Sequence, residues 1–450
     1  HKRGMRLVLD LVVNHTSDEH PWFEEARKSR HNPYYNYYHW WPAEKGEPPL
    51  RLSYFDEEGN AWMYNKSTDS YYLHYFSRKQ PDLNWENPEV RQEIFDMMRF
   101  WFDKGIDGFR MDSISLIAKD PSFPLIDSKK YPDIFSFYAK EPRLHLYLHE
   151  MNRQVLSKYD CMSVGEGSAV MVDDVAKFVD PAREELNMLY HFDAARIRNT
   201  TLPDNPESGI DYSLIALKKM FTEWDKAVDK GWPSIYLGNH DQPRMVSRFG
   251  SDKDEFRALS AKMLITFLLT MRGTPYWFAG DEIGMRNIRF DRIEDYNDID
   301  TINRYKKAKA EGKDPQAVLD EQKETGRDNA RTPFQWDRSP EAGFTAGTPW
   351  LKVNPDYTWI NVADEEKDPT SILNYFKKVV SFRKENPSLI YGSYHLLDAE
   401  NPQCYIFLRK TGADTYLIML NFSPKAAIST PGIDMSNAHV LLDNYGDRSH

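Results

Sequence analysis

Short apolar runs alternate with amphipathic segments over most of the chain. Six runs of strand length recur, at residues 6–13, 106–111, 161–165, 188–192, 234–237 and 274–279. Helical spacing of apolar residues predicts two amphipathic helices, one burying Val90, Ile94, Met98 and Trp101 and the other burying Phe256, Leu259, Met263 and Phe267. Strands that alternate with helices are typical of a parallel sheet, so we predict the α/β class.

Three segments depart from this alternation. Residues 16–79 are rich in Tyr and Trp and too long for an ordinary loop, which predicts a small inserted subdomain. The polar residues 286–325 include a predicted solvated helix at Lys306–Lys313. From residue 389, alternating apolar and polar positions predict an antiparallel β domain. The predicted domains are a catalytic β/α region at 1–15 and 80–388, a subdomain at 16–79 that flanks the active site, and a C-terminal β domain at 389–450 that looks cut short.

Composition narrows the class of protein. The chain has 450 residues, 40% of them hydrophobic and 28% charged, as in ordinary soluble globular enzymes. Its net charge is −11 and no Lys/Arg stripe occurs, which argues against nucleic acid as a partner. The longest apolar run, Met263–Met271, is shorter than the roughly 20 residues of a membrane span. Two distant cysteines and no metal-ligand spacing favour a cytoplasmic protein without a metal or other cofactor.

Four short stretches with acidic residues follow the apolar runs. They are Asp10–His15, Gly108–Asp112, Val164–Glu166 and Leu237–Asp241. Each stretch reaches the point where a predicted strand gives way to a loop, and in a β/α barrel that carboxyl-terminal rim carries the active site. One Glu and two Asp side chains gathered there suit a reaction whose transition state is cationic.

The order and the amino-acid sequences of these stretches resemble the motifs of the α-amylase family of glycoside hydrolases. Gln80–Trp85 and Gly326–Trp336 resemble further signatures of its oligo-1,6-glucosidase and α-glucosidase branch. The resemblance implies a (β/α)8 TIM barrel in which residues 6–13 form the third strand, so that strands three to eight are present. The family's first two strand–helix units have no counterpart here, and the chain looks N-terminally incomplete. A structural calcium site is expected only in that preceding part.

The resemblance also implies catalytic roles. Asp112 would be the nucleophile, Glu166 the general acid/base, and Asp241 the carboxylate that holds sugar hydroxyls. Two carboxyl groups about 5–5.5 Å apart support the retaining route through a covalent glycosyl-enzyme. Arg110, two residues before Asp112 on the same strand face, is expected to keep Asp112 ionised. Glu166 has no cation near it in sequence, so we expect a raised pKa, as a general acid requires.

Other residues are assigned to the innermost sugar subsite by the same resemblance. His15 and His240 would donate hydrogen bonds to sugar hydroxyls, although a lone His at a strand end is more often structural. Arg327 would close the subsite, whereas Arg331 is expected to be structural. Most of the many aromatic rings are expected to be core, and Phe55 and Phe76 are the best candidates for a ring that stacks on sugar.

The residue after the nucleophile is associated with linkage specificity in this branch, where Val accompanies α-1,6 bonds and Ala or Thr accompanies α-1,4 bonds. Here it is Ser113, which is small and polar and closer to Thr than to Val. Ser113 therefore favours short α-1,4-glucosides such as maltose, and α-1,6 activity stays open. We count Ser113 among the substrate-binding residues.

The predicted function is that of a retaining, exo-acting α-glucosidase that hydrolyses maltose- or isomaltose-type oligosaccharides. A sucrose isomerase or glucosyl transferase on the same fold is an alternative, although sucrose isomerases typically carry Asn where Gln242 stands. A trehalose-6-phosphate hydrolase would need a phosphate-binding cluster, which the sequence does not display. A non-catalytic scaffold resembling the amino-acid-transporter heavy chains would generally lack the three carboxylates. The oligomeric state is not predicted.

Overall fold

The computed structural model describes residues 1–55, 59–127, 129–131, 134–197, 212–412 and 414–445. It divides into two compact units, residues 1–192 with 226–233 and residues 193–225 with 234–450. Helices and strands are numbered below in chain order across both units.

The first unit contains seven strands among its described residues: β1 (Val8–Val12), β2 (Trp40–Pro42), β3 (Trp62–Asn65), β4 (Ser70–Leu73), β5 (Gly108–Asp112), β6 (Met162–Glu166) and β7 (Met188–Tyr190). Its helices are α1 (Pro21–Ala26), α2 (Pro88–Asp103), α3 (Phe135–Tyr138), α4 (Arg143–Gln154) and α5 (Ala176–Val179). Strands β1, β5, β6 and β7 form one parallel sheet in that order. The predicted strands at 6–13, 106–111, 161–165 and 188–192 are therefore present, with bounds that differ by one to two residues at most ends.

The strand register aligns the carboxyl ends of this sheet. Val12 pairs with Asp112 across β1 and β5, and Glu166 pairs with Tyr190 across β6 and β7. Parallel neighbours present paired residues on the same face, so Asp112, Glu166 and Tyr190 end their strands at the same edge of the sheet. Close approach of β5 to β6 requires glycine at position 108, because a Cβ there would lie 2.2 Å from the Met162 carbonyl oxygen.

Helix α2 covers one side of the sheet largely as predicted. Asn87 caps it by accepting the Glu89 N–H at 3.0 Å, and Pro88 occupies the first position. Val90, Ile94 and Met98 are buried, but the prediction that Trp101 is buried is wrong, since 38% of it is exposed. Phe102 is buried instead, because its ring rather than that of Trp101 packs edge-on against Phe109 of β5, 4.9 Å away.

Residues 16–79 contain the antiparallel sheet β2-β4-β3 and a dense aromatic core. Trp62, Leu73 and Tyr75 are buried in one cluster with Phe123 and Tyr138, which lie beyond β5 in the chain. The Tyr75 and Tyr138 rings stack 3.9 Å apart. The high Tyr and Trp content of this segment is therefore used mainly in packing.

The second unit contains the strands β8 (Ser234–Ile235), β9 (Thr274–Pro275), β10 (Ser393–Leu397), β11 (Cys404–Thr411) and β12 (Asp414–Asn421). Its helices are α6 (Asp193–Arg196), α7 (Leu214–Ala227, which runs on into the first unit's segment), α8 (Met245–Phe249), α9 (Asp254–Thr270), α10 (Ile299–Ala310), α11 (Pro315–Thr325), α12 (Val362–Glu365), α13 (Ile372–Glu385) and α14 (Pro387–Tyr391). Strands β8 and β9 pair in parallel.

Three predictions for the second unit need correction. The apolar run 274–279 is strand only at β9, since the chain turns where the Asp281 N–H donates to the Phe278 carbonyl. On α9, Met263 and Phe267 are buried as predicted, whereas Phe256 and Leu259 are only partly buried because they lie in its first turns beside an open cleft.

The third correction concerns only the bounds of the solvated helix predicted at Lys306–Lys313: residues 306–310 are the largely exposed end of α10, and the helix does not continue to Lys313. The structure has two helices there, α10 and α11, and the chain reverses between them at Gly312, which has a φ of +69°. Asp314 then caps α11 by accepting the Gln316 N–H at 2.9 Å. A left-handed glycine followed by an N-cap residue ends one helix and begins the next.

Strands β10, β11 and β12 form an antiparallel sheet in that order, which confirms the predicted C-terminal antiparallel sheet. β11 is the central strand and its first six residues are buried. Within the described part of the chain, no helix combines the length and apolarity needed to cross a membrane. Cys161 and Cys404, both described, are free thiols.

Candidate active site

Arg110 joins the acidic strand ends of the first unit. Its Nη1 donates to Asp10 Oδ1 and to Asp112 Oδ1, each at 2.7 Å, while Nη2 donates to Glu166 Oε2. Nε and Nη2 also donate to the Tyr190 hydroxyl, at 2.8 and 2.6 Å. Burial opposes the charge of Arg110, but Glu166, Tyr190, Asp10 and Asp112 together raise its pKa above the ordinary value. A permanent cation therefore lies between the proposed nucleophile and the proposed acid/base.

Glu166 is more strongly hydrogen bonded than the sequence indicated. Its Oε2 accepts from Arg110, from the Tyr190 hydroxyl at 3.2 Å and from the Ser113 N–H at 3.3 Å. Its Oε1 accepts from the Ser168 hydroxyl at 3.0 Å. No cation lies near Glu166 in sequence, but strand pairing brings Arg110 to it from 56 residues away, so the reason given for a raised pKa of Glu166 does not hold in the fold.

Ser113 directs its backbone into this cluster. It follows β5 in the left-handed region, at a φ of +43°, and its side chain is buried. A non-glycine residue in that region is uncommon and is often found at functional sites. The turn aims the Ser113 N–H at Glu166 and starts the 3-10 turn Ile114–Leu116. Ser113 thus contacts the acid/base through its backbone.

His15 lies on a second polar network of the first unit. The buried Lys119 ammonium donates to Asn14 Oδ1 at 2.6 Å and pairs with Asp82 Oδ2 at 3.1 Å. This contact orients the Asn14 amide so that Nδ2 faces His15 Nδ1 at 3.2 Å. Nε2 faces the Gln80 side-chain nitrogen at 3.0 Å, and Gln80 Oε1 accepts the Ser77 N–H at 3.1 Å, which fixes the orientation of that amide. A neutral imidazole accepts at one nitrogen only, so His15 takes a hydrogen bond from one of these two amides.

Burial lowers the pKa of His15, although Asp82 and Asp112 oppose that change. The ring is therefore neutral near pH 7 and has one N–H to donate, as the assignment to a sugar hydroxyl requires. Burial likewise lowers the pKa of Lys119, and Asp82 opposes it. The chain thus builds a buried Lys119–Asp82 ion pair beside Asn14, which contacts His15.

The two ring candidates lie next to His15. The Phe76 ring centroid is 5.2 Å from that of His15 and 5.6 Å from that of Phe55. The Tyr54 ring also stacks on the Phe76 ring, with the two centroids 5.1 Å apart. Phe55 and Phe76 are both partly exposed, so each has ring surface that a ligand can reach. The structure therefore groups His15, Phe55 and Phe76.

Asp241 is the centre of a separate group in the second unit. Its Oδ1 accepts from Arg327 at 3.2 Å and from Arg331 at 3.0 Å, and its Oδ2 is 3.3 Å from His240 Nε2. Arg331 also donates to the His240 carbonyl at 2.8 Å. Arg331, which the sequence indicated to be structural, therefore contacts the same carboxylate as Arg327. Carboxylate and guanidinium groups together can bind a pair of sugar hydroxyls as acceptor and donor.

A helix cap holds Arg327 in position. Asp298 is the N-cap of α10, where Oδ2 accepts the Thr301 N–H at 3.0 Å, while Oδ1 binds Nε and Nη2 of Arg327. Burial acts to raise the pKa of Asp298, but Arg327 and Thr301 outweigh it and the pKa is lowered. Burial likewise acts to lower the pKa of Arg327, but Asp298 and Asp241 raise it. Both groups are therefore charged at neutral pH.

Sequence reasoning missed four residues of these groups: Tyr190, Lys119, Ser168 and Asp298. Helix-start patterning could have identified Asp298 as a cap, since Asp precedes an amphipathic segment there. Nothing local marks Tyr190 or Lys119, because their partners come from distant parts of the chain, whereas Ser168 lies only two residues after its partner Glu166 and could have been considered with it. Among the described residues, no set of three or more His, Cys, Asp or Glu side chains is arranged to hold a metal ion.

Known proteins are similar to this chain over nearly its whole length. The family model "Alpha amylase, catalytic domain" matches residues 1–392. An oligo-1,6-glucosidase of Parageobacillus thermoglucosidasius is 51% identical over 99% of this chain and 80% of its own length. An oligo-1,6-glucosidase of Bacillus cereus is 45% identical over 99% of this chain and 80% of its own. A crystal structure of a mutant of the trehalulose synthase MutB has a TM-score of 0.88 and 42% identity, covering 94% of this chain and 76% of that one.

These matches confirm the predicted fold class, an α/β chain of the (β/α)8 barrel type. They extend over nearly the whole chain rather than over isolated motifs, so the shared sequence motifs at the strand ends reflect common descent. The polar strand ends that Arg110 joins lie inside the matched residues. The chain therefore belongs to the α-amylase family.

Proposed function

We propose that the protein is a retaining, exo-acting glycoside hydrolase that cleaves short α-glucosides. The observation that carries this proposal is one guanidinium, Arg110, bound to two carboxyls on neighbouring strands, Asp112 and Glu166. Two carboxyls held against the same small cation are close neighbours, as the retaining route requires. The identity of up to 51% with proteins named oligo-1,6-glucosidase supports the same reaction.

In the proposed first step, an Asp112 carboxylate oxygen bonds to the anomeric carbon while the bond from that carbon to the leaving oxygen breaks. Glu166 gives its proton to the leaving oxygen. In the second step Glu166 takes a proton from water, the water oxygen bonds to the anomeric carbon and Asp112 is released. The reaction uses only these carboxyls and water, so no cofactor is part of the proposal.

Arg110 keeps Asp112 ionised and positioned in this scheme, as a neighbouring cation favours the charged form of a carboxyl. His15 is proposed to donate to a sugar hydroxyl, and the Phe76 ring beside it to contact an apolar sugar face. Asp241, supported by Arg327 and with His240 beside it, is proposed to bind further sugar hydroxyls.

The linkage is the finer part of the proposal. Both oligo-1,6-glucosidase relatives support isomaltose-type substrates, whereas Ser113 favours maltose-type substrates by its resemblance to Thr. We propose that the protein accepts both classes, and the order of preference is left to measurement. A cytoplasmic location, inferred from the two unpaired cysteines, is a further prediction.

A sucrose isomerase is the second candidate, and one observation favours it. The solved structure with 42% identity is a trehalulose synthase. Gln242 argues against it, because sucrose isomerases typically have Asn there. The two reactions share the covalent step and differ in whether water or fructose accepts the glucosyl group, so product analysis separates them.

The first test is a substrate panel of maltose, isomaltose, sucrose and trehalose with product identification. Hydrolysis of maltose or isomaltose to glucose is expected, and conversion of sucrose to isomeric disaccharides without net hydrolysis would favour the second candidate. Turnover of none of the four would contradict both.

The second test assigns the carboxyl roles. A mechanism-based cyclitol should label the peptide that contains Asp112, and Asp112→Ala should abolish turnover. Glu166→Gln should slow substrates with poor leaving groups far more than activated aryl glucosides, which need little protonation. A label found on Glu166 or Asp241 would contradict the assignment, as would equal losses on both substrate types for Glu166→Gln.

A further inference from the structure

Tyr190 enters the acidic cluster at the end of a neighbouring strand. It is the last residue of β7 and the register partner of Glu166, the last residue of β6. Its hydroxyl oxygen lies within hydrogen-bond distance of both Arg110 and Glu166. No motif in the sequence singles it out, and neither of the reaction steps above uses it.

Counting donors and acceptors fixes the direction of these bonds. Arg110 can only donate, and it offers two N–H groups to the Tyr190 oxygen, from Nε at 2.8 Å and from Nη2 at 2.6 Å. A phenol oxygen accepts these two bonds and has one hydrogen to give. That hydrogen is donated to Glu166 Oε2 at 3.2 Å. The Arg110 guanidinium also lies over the Tyr190 ring, 5.7 Å from its centroid, which holds the ring in place.

The two oxygens of Glu166 are therefore in different environments. Oε2 accepts from Arg110, Tyr190 and the Ser113 N–H, whereas Oε1 accepts from the Ser168 hydroxyl at 3.0 Å. A hydroxyl such as that of Ser168 can reverse and accept, so Oε1 can carry a proton without losing its partner. Oε2 already accepts hydrogen bonds from three N–H or O–H donors, so it cannot take up a proton without losing one of them.

We propose that Tyr190 is a positioning residue for Glu166, which together with Arg110 fixes Oε2 and leaves Oε1 to exchange the proton with substrate. The role rests on the proposed function of Glu166 as acid/base and deepens it. The charged groups that face Glu166 are Arg110 directly and, through that guanidinium, Asp112 and Asp10. Tyr190 adds a neutral donor to this set and determines which carboxyl oxygen the set engages.

Tyr190→Phe tests the role, since it removes the hydroxyl and keeps the ring. Loss of a donor to the carboxylate favours its protonated form, so the Glu166 carboxyl should titrate at a pH higher by at least about 0.5. The alkaline limb of kcat/KM should move in the same direction. With Oε2 less fixed, kcat/KM for maltose should fall about tenfold or more, and that for an aryl glucoside should fall much less.

Tyr159→Phe is the matched control. The Tyr159 hydroxyl donates to Asp103 at 2.9 Å, so this variant also loses a bond between tyrosine and a carboxylate, outside the cluster. It should leave the Glu166 titration and both kcat/KM values unchanged. A shift of the same size in the control would show a general structural effect and overturn the proposal.

Titration of Glu166 itself separates this proposal from the function on which it rests. ¹³C NMR of the protein labelled at the glutamate carboxyl, with the Glu166 signal identified by Glu166→Gln, follows that group without any substrate. An unchanged titration in Tyr190→Phe overturns the role of Tyr190, whatever the activity. A shifted titration in a protein that hydrolyses no glucoside supports the Tyr190 contact and contradicts the proposed function.

Discussion

Ser113 combines a backbone role with a place beside the proposed nucleophile. Its left-handed backbone turns the chain at the end of β5 and presents the N–H to Glu166. The side chain is buried at this turn, so a larger residue there must displace its neighbours. Because these neighbours include the backbone next to Asp112, we use position 113 to test linkage preference.

We predict that Ser113→Val shifts preference from maltose towards isomaltose. A β-branched apolar side chain adds bulk and removes a hydroxyl, and one or two such contacts change relative kcat/KM by about 10–200-fold, or roughly 1–3 kcal/mol. The measurement is the ratio of kcat/KM for the two disaccharides in both proteins, with an activated aryl glucoside as the reference substrate. A ratio that stays within about twofold would exclude Ser113 as the determinant.

A second prediction at this scale concerns the support of Arg327. Asp298→Asn keeps an oxygen to cap α10 but removes the charge that pairs with Arg327. We expect KM to rise about tenfold or more, because a largely buried charge that loses one of its carboxylate partners is destabilised and Arg327 is held less firmly beside Asp241. Asp314→Asn changes the cap of α11, which holds no arginine, and should leave KM unchanged. Equal effects of the two variants would assign the loss to helix capping instead.

Among the helices and strands of the second unit, buried arginines connect the end of α9 to the C-terminal sheet. Arg383 donates to the carbonyls of Leu269 and Met271 at 2.8 Å, and Arg409 on β11 donates to those of Thr270 and Leu389. The last carbonyls of a helix lack partners within the helix, and these cations supply them. Burial lowers the pKa of Arg383 to about 10 and that of Arg409 to about 9.

We predict that Arg409→Met destabilises the protein by roughly 3–5 kcal/mol, since it leaves buried carbonyl oxygens without donors. Chemical denaturation monitored by circular dichroism measures the change in the free energy of unfolding. Lys410→Met, at the exposed neighbour on the same strand, should change it by less than about 0.5 kcal/mol. A loss below about 1 kcal/mol for Arg409→Met would mean that water replaces the arginine.

At the scale of the whole molecule, buried acids make stability depend on pH. Burial raises the pKa of Glu365 to about 7, although the Leu373 N–H and Arg257 oppose that change. The folded chain therefore holds this proton at pH values where the unfolded chain has released it. The stabilisation is fully present below the ordinary glutamate pKa and is lost as the pH rises to about 7.

We predict that Glu365→Gln flattens the fall of stability between pH 4.5 and pH 7. Gln mimics the protonated side chain at every pH, so the contribution of this group, about 3 kcal/mol over the window, disappears from the slope. Thermal unfolding at several pH values measures the slope. Glu366→Gln alters an exposed neighbour and should keep the wild-type slope, and an unchanged slope in Glu365→Gln would contradict the prediction.

Much of the architecture follows from local pattern. Parallel strands at 8–12, 108–112 and 162–166 need apolar runs of the right length, and the amino-acid order alone displays them. Asn87-Pro88 predicts the start of α2 for the same reason, because a cap needs only adjacent residues. Local pattern predicts the ends and buried faces of helices less well. Trp101, for example, is exposed because Phe102 makes the contact with β5 instead.

The sequence by itself determined the family, the fold class and the identity of the candidate carboxyls, because strand ends and motifs consist of consecutive residues. Only the tertiary structure decided the environment of each carboxyl. Arg110 reaches Glu166 across 56 positions, Lys119 orients Asn14 across 105, and Asp298 holds Arg327 across 29. Hydrogen bonds and ion pairs act over a few ångströms in space, and no periodicity along the chain records which distant residues will meet.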